Sequence, residues 1–320
     1  MTKFLKEDAM HIDFPINNRD KEFEWWYFDA ALDNGDHFVV MYSTNDTRLK
    51  PRRPSVRTNI YEHNGNEIKE ILDFKETEVS FDYSKCDAKF GDQYCIDQGD
   101  HFEIYTNING NGAHLMLYPQ KPSWTRPSKG KMMGWTVAVP CGKIEGVLFK
   151  NGKEVPVKGT GYHDHNWGSE PMGNQFSNWY WGKVHTDDIS IDYGVMIPIN
   201  PKKKPIVSLL AFDNNSAIVQ GSMKDILFNN SVEVNKVSKE PVLGFNIAHQ
   251  LKINVNKIGF KLDLVIDLKK IVMRDKAQFK GSESAYRYIG DEVMKVKRNG
   301  TTKTYKTSSL HEIVFLGPVG

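Results

Sequence analysis

Ten consecutive residues, Gly159-Thr-Gly-Tyr-His-Asp-His-Asn-Trp-Gly168, hold two histidines, an aspartate, a tyrosine, a tryptophan and three glycines. Val155-Pro-Val-Lys158 precedes them, so the stretch reads as a strand, whose side chains alternate between two faces. Tyr162 and Asp164 then share one face, while His163, His165 and Trp167 share the other. Three chemistries fit this set. His-x-His on one strand face is a metal-ligand pattern, with Asp164 or His185 as the further ligand. Imidazoles each satisfied by a neighbour, in a buried polar network between sheets, give a structural reading. The third is general acid catalysis. An acid in a tryptophan-lined pocket loses solvation, its pKa rises, and it stays protonated near neutral pH. A neighbouring histidine then relays protons or positions water.

Two further segments repeat the aromatic theme. In Glu24-Trp-Trp-Tyr-Phe-Asp29, alternation puts Glu24, Trp26 and Phe28 on one face and Trp25, Tyr27 and Asp29 on the other. In Ser177-Asn-Trp-Tyr-Trp-Gly-Lys-Val-His185, Trp179, Trp181, Lys183 and His185 share a face. Five of the seven tryptophans fall in these three segments. A single tryptophan is most often a core residue. Several beside titratable groups suit a lipophilic, unsaturated substrate, because ring faces attract a developing cation by roughly 0.5–2 kcal/mol each. The chain has no Gly-rich phosphate loop, no Gly-x-Ser-x-Gly elbow and no Cys–His nucleophile signature, which disfavours phosphoryl transfer and hydrolase triads.

The elements that must position these residues read as β almost throughout. Short alternating or apolar runs include His37–Ser43, Val56–Glu62, Thr77–Tyr83, Phe102–Asn107, Thr136–Pro140, Gly146–Phe149, Ile206–Phe212 and Tyr286–Lys297. Asn-Gly occurs at 34, 64, 109, 111, 151 and 299, and it is the strongest short hairpin signal. No stretch sustains a helical period over three turns; Met223–Asn229 reads as one short helix or another strand. Strands at roughly 8–12-residue spacing predict an all-β chain of antiparallel sandwiches or barrels. We expect two domains, 1–172 and 173–320, joined by the loop-like Ser169–Ser177. The proline- and lysine-rich Pro198–Pro205 is a second candidate boundary, or a hairpin loop within the second domain.

At 320 residues, 39% hydrophobic and 26% charged, the chain has an ordinary globular composition. A net charge of +2 gives no footprint for nucleic acid, and Lys50-Pro-Arg-Arg53 and Lys202-Lys-Lys204 read as solvated loops. Met1–Asp8 lacks the apolar run of a secretory leader, and no run approaches the ~18 apolar residues of a membrane span. A cytoplasmic location is therefore expected. Cys86, Cys95 and Cys141 lack metal spacing; Cys86 and Cys95 are expected to face each other across a hairpin as free thiols.

Glu24-Trp-Trp-Tyr27, Gly161-Tyr-His-Asp-His-Asn-Trp-Gly168 and Trp179-Tyr-Trp-Gly182, in this order, resemble the carotenoid 1,2-hydratase (hydroxyneurosporene synthase, CrtC) and AttH-like family. The likeness covers about residues 20–185; the C-terminal third fits only in being β-rich. It implies two lipocalin-like antiparallel β-barrel domains packed together. It also implies an enzyme without metal or cofactor, acting on a hydrophobic small molecule. The family's hydratases add water to an isoprenoid C=C, and relatives catalyse cyclisations, including pericyclic ones. Carried over, the acid is Asp164, with His163, His165, Tyr162 and Glu24 as further catalytic candidates. Trp25, Trp26, Trp167, Trp179, Tyr180, Trp181 and His185 are the candidate substrate contacts. We further expect Asp164 and Tyr162 to face the substrate, and His163, His165 and Trp167 to hold the seam between the domains. Three functions remain open: hydratase, cyclase or isomerase, and non-catalytic carrier of a hydrophobic ligand.

Overall fold

The computed structural model describes residues 4–129, 133–222, 228–278 and 282–316. The chain is all-β: apart from three short 3-10 turns, every regular element among the described residues is a strand. Among those residues no helix is long and apolar enough to cross a membrane. The chain divides into two compact units, Met1–Met172 and Gly173–Gly320.

In the first unit the strands are β1 (Phe23–Leu32), β2 (His37–Ser43), β3 (Ser55–Tyr61), β4 (Glu67–Asp73), β5 (Val79–Phe81), β6 (Asp87–Phe90), β7 (Gln93–Asp97), β8 (Phe102–Ile108), β9 (Asn111–Pro119), β10 (Trp124–Arg126), β11 (Gly134–Lys150) and β12 (Lys153–Gly168). The second has β13 (Phe176–His185), β14 (Ser190–Pro198), β15 (Ile206–Phe212), β16 (Ala217–Ser222), β17 (Phe228–Lys239), β18 (Asn246–Lys257), β19 (Phe260–Asp275), β20 (Glu283–Arg298) and β21 (Thr301–Leu316). The first sheet runs β4-β3-β2-β1-β12-β11-β9-β8-β7-β6-β5, with β10 on β11; the second runs β16-β15-β14-β13-β21-β20-β19-β18-β17. Each is a strongly curled antiparallel half-barrel, as in tandem lipocalin-like domains. The two share one wiring. The opening strand pairs on one side with its hairpin partner and on the other with the closing strand of the same unit.

Each sheet curls around its own apolar interior. In the first, Trp26, Phe28, Val40, Tyr42, Ile104, Leu115 and Leu117 pack together. In the second, Tyr180, Val195, Leu209, Leu251, Leu264, Tyr286 and Ile313 do so. Alternation shows plainly in β20, where Met294 and Val296 point inward and Asp291, Val293, Lys295 and Lys297 point to water. β12 departs from that pattern. Its first half is mostly exposed, but Gly161 to Gly168 is buried on both faces.

The Asn-Gly pairs divide by geometry. At Asn109-Gly110, Asn151-Gly152 and Asn299-Gly300 both residues have positive φ, as a type I′ turn requires. At 34 and 64 only the following glycine does. Asn111-Gly112 is no turn; it starts β9. Thr136–Pro140 and Gly146–Phe149 fuse into β11, whose register shifts between Val137 and Gly142 break the alternation. β4, β6, β7, β10 and most of β17 lie outside the runs expected from the sequence. β4 is an edge strand whose residues are mostly exposed, so it needs no apolar face. Residues 223–227 lie outside the described residues, while β17 begins at Phe228. The segment 199–205 is a hairpin loop joining β14 to β15.

Candidate active site

The register of β1, β12 and β11 determines which side chains meet. Glu24, Trp26 and Phe28 stand opposite Trp167, His165 and His163, and these turn into the interior of the first unit. Trp25, Tyr27 and Asp29 stand opposite Asn166, Asp164 and Tyr162 on the other face. Trp135 and Val137 of β11 are opposite Asn166 and Asp164 from the far side. One strand therefore carries two polar groups, back to back.

The inward group is a chain of four titratable side chains, Asp8, His163, His165 and Glu24, all fully buried. His163 Nδ1 donates to the Tyr27 carbonyl at 3.0 Å, and Nε2 meets Asp8 Oδ2 at 2.8 Å. His165 Nε2 meets Glu24 Oε1 at 2.8 Å, and its Nδ1 lies 3.3 Å from Asp8 Oδ1. Burial pulls both imidazoles down, but the carboxylates overcome it: Asp8 holds His163 up at about 10, and Asp8 with Glu24 holds His165 up at about 9. In the opposite sense, burial raises Asp8, yet the two imidazoles bring it down to about 2. Both imidazoles and Asp8 are thus held toward their charged forms, and Glu24 completes the chain by its hydrogen bond with His165. Rings enclose them. Phe28 stacks on His163 at 3.8 Å, Trp26 on His165 at 4.4 Å, and His11 on Trp167 at 3.6 Å.

The same group ties down the N-terminal segment. Glu24 accepts the backbone N–H groups of His11 and Ile12 at 2.8 and 2.9 Å. Trp26 Nε1 donates to the Asp8 carbonyl, and the Thr136 hydroxyl to that of Glu7. His163 and His165 lie in the interior of the first unit, where Phe28 and Trp26 are their cross-strand partners, and Trp167 stands opposite Glu24. Glu24, too, is on the face opposite Asp164.

Asp164 stands in the outward group, and it is buried as well. Its Oδ2 accepts from Trp135 Nε1 and from the Tyr162 hydroxyl, both at 2.9 Å. Its Oδ1 accepts from Asn166 Nδ2 at 2.9 Å. Burial pushes its pKa up to about 6, against the lowering by those donors and by His163; the Asp29 charge adds to the rise. At neutral pH an acid in that range is present in both protonation states.

For the His-x-His metal reading, Asp164 lies on the face opposite the two histidines. Asp8, Cys86 and His163 do bring one donor atom each within 4.8 Å. Cys86 Sγ is 3.9 Å from Cys95 Sγ, both are free, and burial pushes both thiols up. The facing pair expected from sequence is present; His163 Nε2 and Asp8 Oδ2 are already engaged with each other.

Trp179, Tyr180, Trp181 and His185 sit on β13 of the second unit. Tyr180 points into that unit's core. Trp179 and Trp181 take the other face, where Trp179 Nε1 donates to Glu312 Oε1 at 3.3 Å and Lys183 lies over the Trp181 ring at 5.3 Å. A cavity of about 630 Å³ in the first unit is lined by Phe4, Glu7, Asp97, His101, Phe102 and Trp124 among others, and not by Asp164.

Three residues of these groups escaped the sequence. Asp8 sits in a segment without a motif. Trp135 is one of the two tryptophans outside the three aromatic segments. Asn166 was visible only as a letter in the string. For Trp135 the alternation with Val137 was the available signal, but its partner strand was not.

The fold and the two polar groups on its closing strand define a class: a tandem lipocalin-like β protein carrying the Tyr-His-Asp-His-Asn-Trp-Gly string. No protein-family model matches the chain. A hydroxyneurosporene dehydrogenase of Chlorobaculum tepidum is 28% identical over 88 residues, which span 26% of this chain and only 23% of that relative. Solved structures share the fold over nearly the whole length. CghA in complex with Sch210972 has a TM-score of 0.71 at 10% identity, covering 94% of this chain and 90% of that one. A Nitrosomonas europaea protein described as an AttH gives 0.64 at 14%, covering 97% and 98%. Kievitone hydratase from Nectria haematococca gives 0.58 at 14%, covering 91% and 88%.

Proposed function

We propose that this protein is a hydratase that adds water to a C=C bond of an apolar isoprenoid or polyene substrate, with Asp164 as the acid. The observation that carries the reading is the hydrogen bonding of Asp164. Two donors fill Oδ2, while Oδ1 takes one, from Asn166. A carboxyl oxygen has two acceptor positions, so the proton of the neutral acid is carried on Oδ1. Oδ1 delivers it to the less substituted alkene carbon, leaving a tertiary cation on the neighbour. The rings of Tyr27 and Trp25, on the same sheet face, stabilise that charge. Water adds to the cation, and the Asp164 carboxylate takes back a proton from the oxonium. The sum is substrate plus water, using only chain residues and solvent. The inward His163–Asp8–His165–Glu24 chain plays no part in proton delivery; it holds the strand that carries Asp164. The fold shared with kievitone hydratase supports the reading.

The fold shared with CghA, crystallised with Sch210972, favours a second reading, a cyclase or isomerase using the same group. There Asp164 and Tyr162 would hydrogen-bond a substrate carbonyl and favour a reactive conformer. Product mass separates the two when the protein is incubated with acyclic polyenes and prenylated phenolics. Hydration adds one water, with ¹⁸O from labelled solvent; cyclisation leaves the mass unchanged. In either case Asp164→Asn should lower turnover by about 10²–10⁴-fold. Turnover equal to wild type would eliminate Asp164 as the acid.

A further inference from the structure

Hairpins β18–β19 and β20–β21 of the second unit end side by side, since Phe260 pairs with Arg298 and Lys261 with Lys297. At the tip of the first, Ile258 is 96% exposed, the most exposed large apolar side chain among those described. The water-facing side of the strands behind it carries Lys261, Lys295, Lys297 and Lys306, against one carboxylate, Asp263. Lys261 and Lys297 are direct cross-strand partners, a like-charge placement that destabilises a sheet in water. Among the described residues none of these four lysines has an ion-pair partner. Farther from the tips, Lys269 of β19 pairs with Asp291 of β20 at 3.0 Å, and Lys236 of the neighbouring β17 pairs with Asp267 of β19 at 3.2 Å. At the rim, Arg298 is held by Asp213 and Lys303 by Asp188. On this patch Asp263 stands directly across from Lys295, while Lys261 and Lys297 face each other and Lys306 faces Val293.

We propose that this end of the second unit docks on the surface of an anionic lipid bilayer. Ile258 enters the boundary between headgroups and acyl chains, and Lys261, Lys295, Lys297 and Lys306 meet lipid phosphates. An aliphatic tip backed by lysines suits that boundary. Single-stranded nucleic acid would call for exposed aromatic rings and unpaired arginine, and the one arginine here is already held by Asp213. Docking would place an enzyme for apolar substrates where such substrates dissolve, but no residue of the Asp164 group takes part. The two proposals therefore stand or fall separately.

Co-sedimentation of the full chain with vesicles tests it, using phosphatidylcholine alone and phosphatidylcholine mixed with phosphatidylglycerol. We expect partition onto the mixed vesicles at low salt, little onto the neutral ones, and release as salt shortens the screening length. Each lysine removed should lower the partition coefficient about fivefold, so Lys261→Gln with Lys297→Gln lowers it roughly 25-fold. That double variant removes a like-charge pair, so its melting temperature should hold or rise, which excludes unfolding as the cause. Ile258→Ser should lower partition about tenfold with no change in charge. The proposal is overturned if the protein stays in solution with anionic vesicles at low salt, if neutral vesicles bind it equally, or if the double variant partitions like wild type.

Discussion

Asp164 and His163 are neighbours in sequence with opposite electrostatic fates, because adjacent strand residues face opposite sides. His163 finds a carboxylate and stays charged; Asp164 is pushed toward the neutral form by its burial, with a smaller push from Asp29. The donors on Asp164 set where its pKa comes to rest. Tyr162 and Trp135 hydrogen-bond the charged form and so lower it. Tyr162→Phe or Trp135→Phe should therefore raise the Asp164 pKa above about 6. Infrared titration of the carboxyl C=O band, compared with Asp164→Asn to assign it, reads this without a substrate. If the protonated acid is the active form, the alkaline fall in turnover moves to higher pH in the same variants. A lowered pKa in Tyr162→Phe would mean that the phenol does not donate to Asp164.

At the scale of the strand, the closing elements of both units are built around histidine. In the second unit the Tyr193 hydroxyl meets His311 Nδ1 at 2.9 Å, and His311 Nε2 meets Glu292 Oε1 at 2.7 Å, all buried. Room for that ring is made by glycine: a Cβ on Gly182 would stand 2.1 Å from His311 Nδ1. Gly182→Ala should cost about 1–3 kcal/mol, as overpacking does, seen as a lower urea midpoint with an unchanged slope. No loss would mean that His311 has another place to go. This also shows what the sequence made legible. The alternation of β1, β12 and β13 was readable, as was the sorting of Tyr162 and Asp164 from His163 and His165. Two kinds of fact were not. Register brought Trp135 beside Asp164, and a strand's neighbours are not written in its own residues. Asp8 enters by packing of an irregular N-terminal segment, which has no period to read. The missed β4 failed for a third reason: an exposed edge strand needs no apolar face.

For the molecule as a whole, the buried charges make stability depend on pH in a defined way. Groups whose pKa is raised by folding contribute stability that is complete below their ordinary value and lost as pH rises through the folded one. His163 and His165, ordinarily near 6.5, are raised to about 10 and about 9, so the loss falls between about pH 6.5 and 10. Asp8 has the reverse sense: lowered from 3.8 to about 2, it contributes above 3.8 and loses its part as pH falls toward 2. Asp164 is a carboxyl raised by burial, so its ionisation weakens the fold between 3.8 and about 6. Asp8→Asn strands the His163 charge in the interior and should destabilise the first unit by about 3–5 kcal/mol at neutral pH. The variant should also lose the part of the alkaline slope that His163 contributes, while His165, still paired with Glu24, keeps its share. The difference from wild type then narrows as pH approaches 10. Urea unfolding at a series of pH values measures both curves. A wild-type unfolding free energy that stays level from about pH 7 to 10 would show the imidazoles to be neutral in the fold. In that case neutral hydrogen bonds, rather than paired charges, would hold the closing strand.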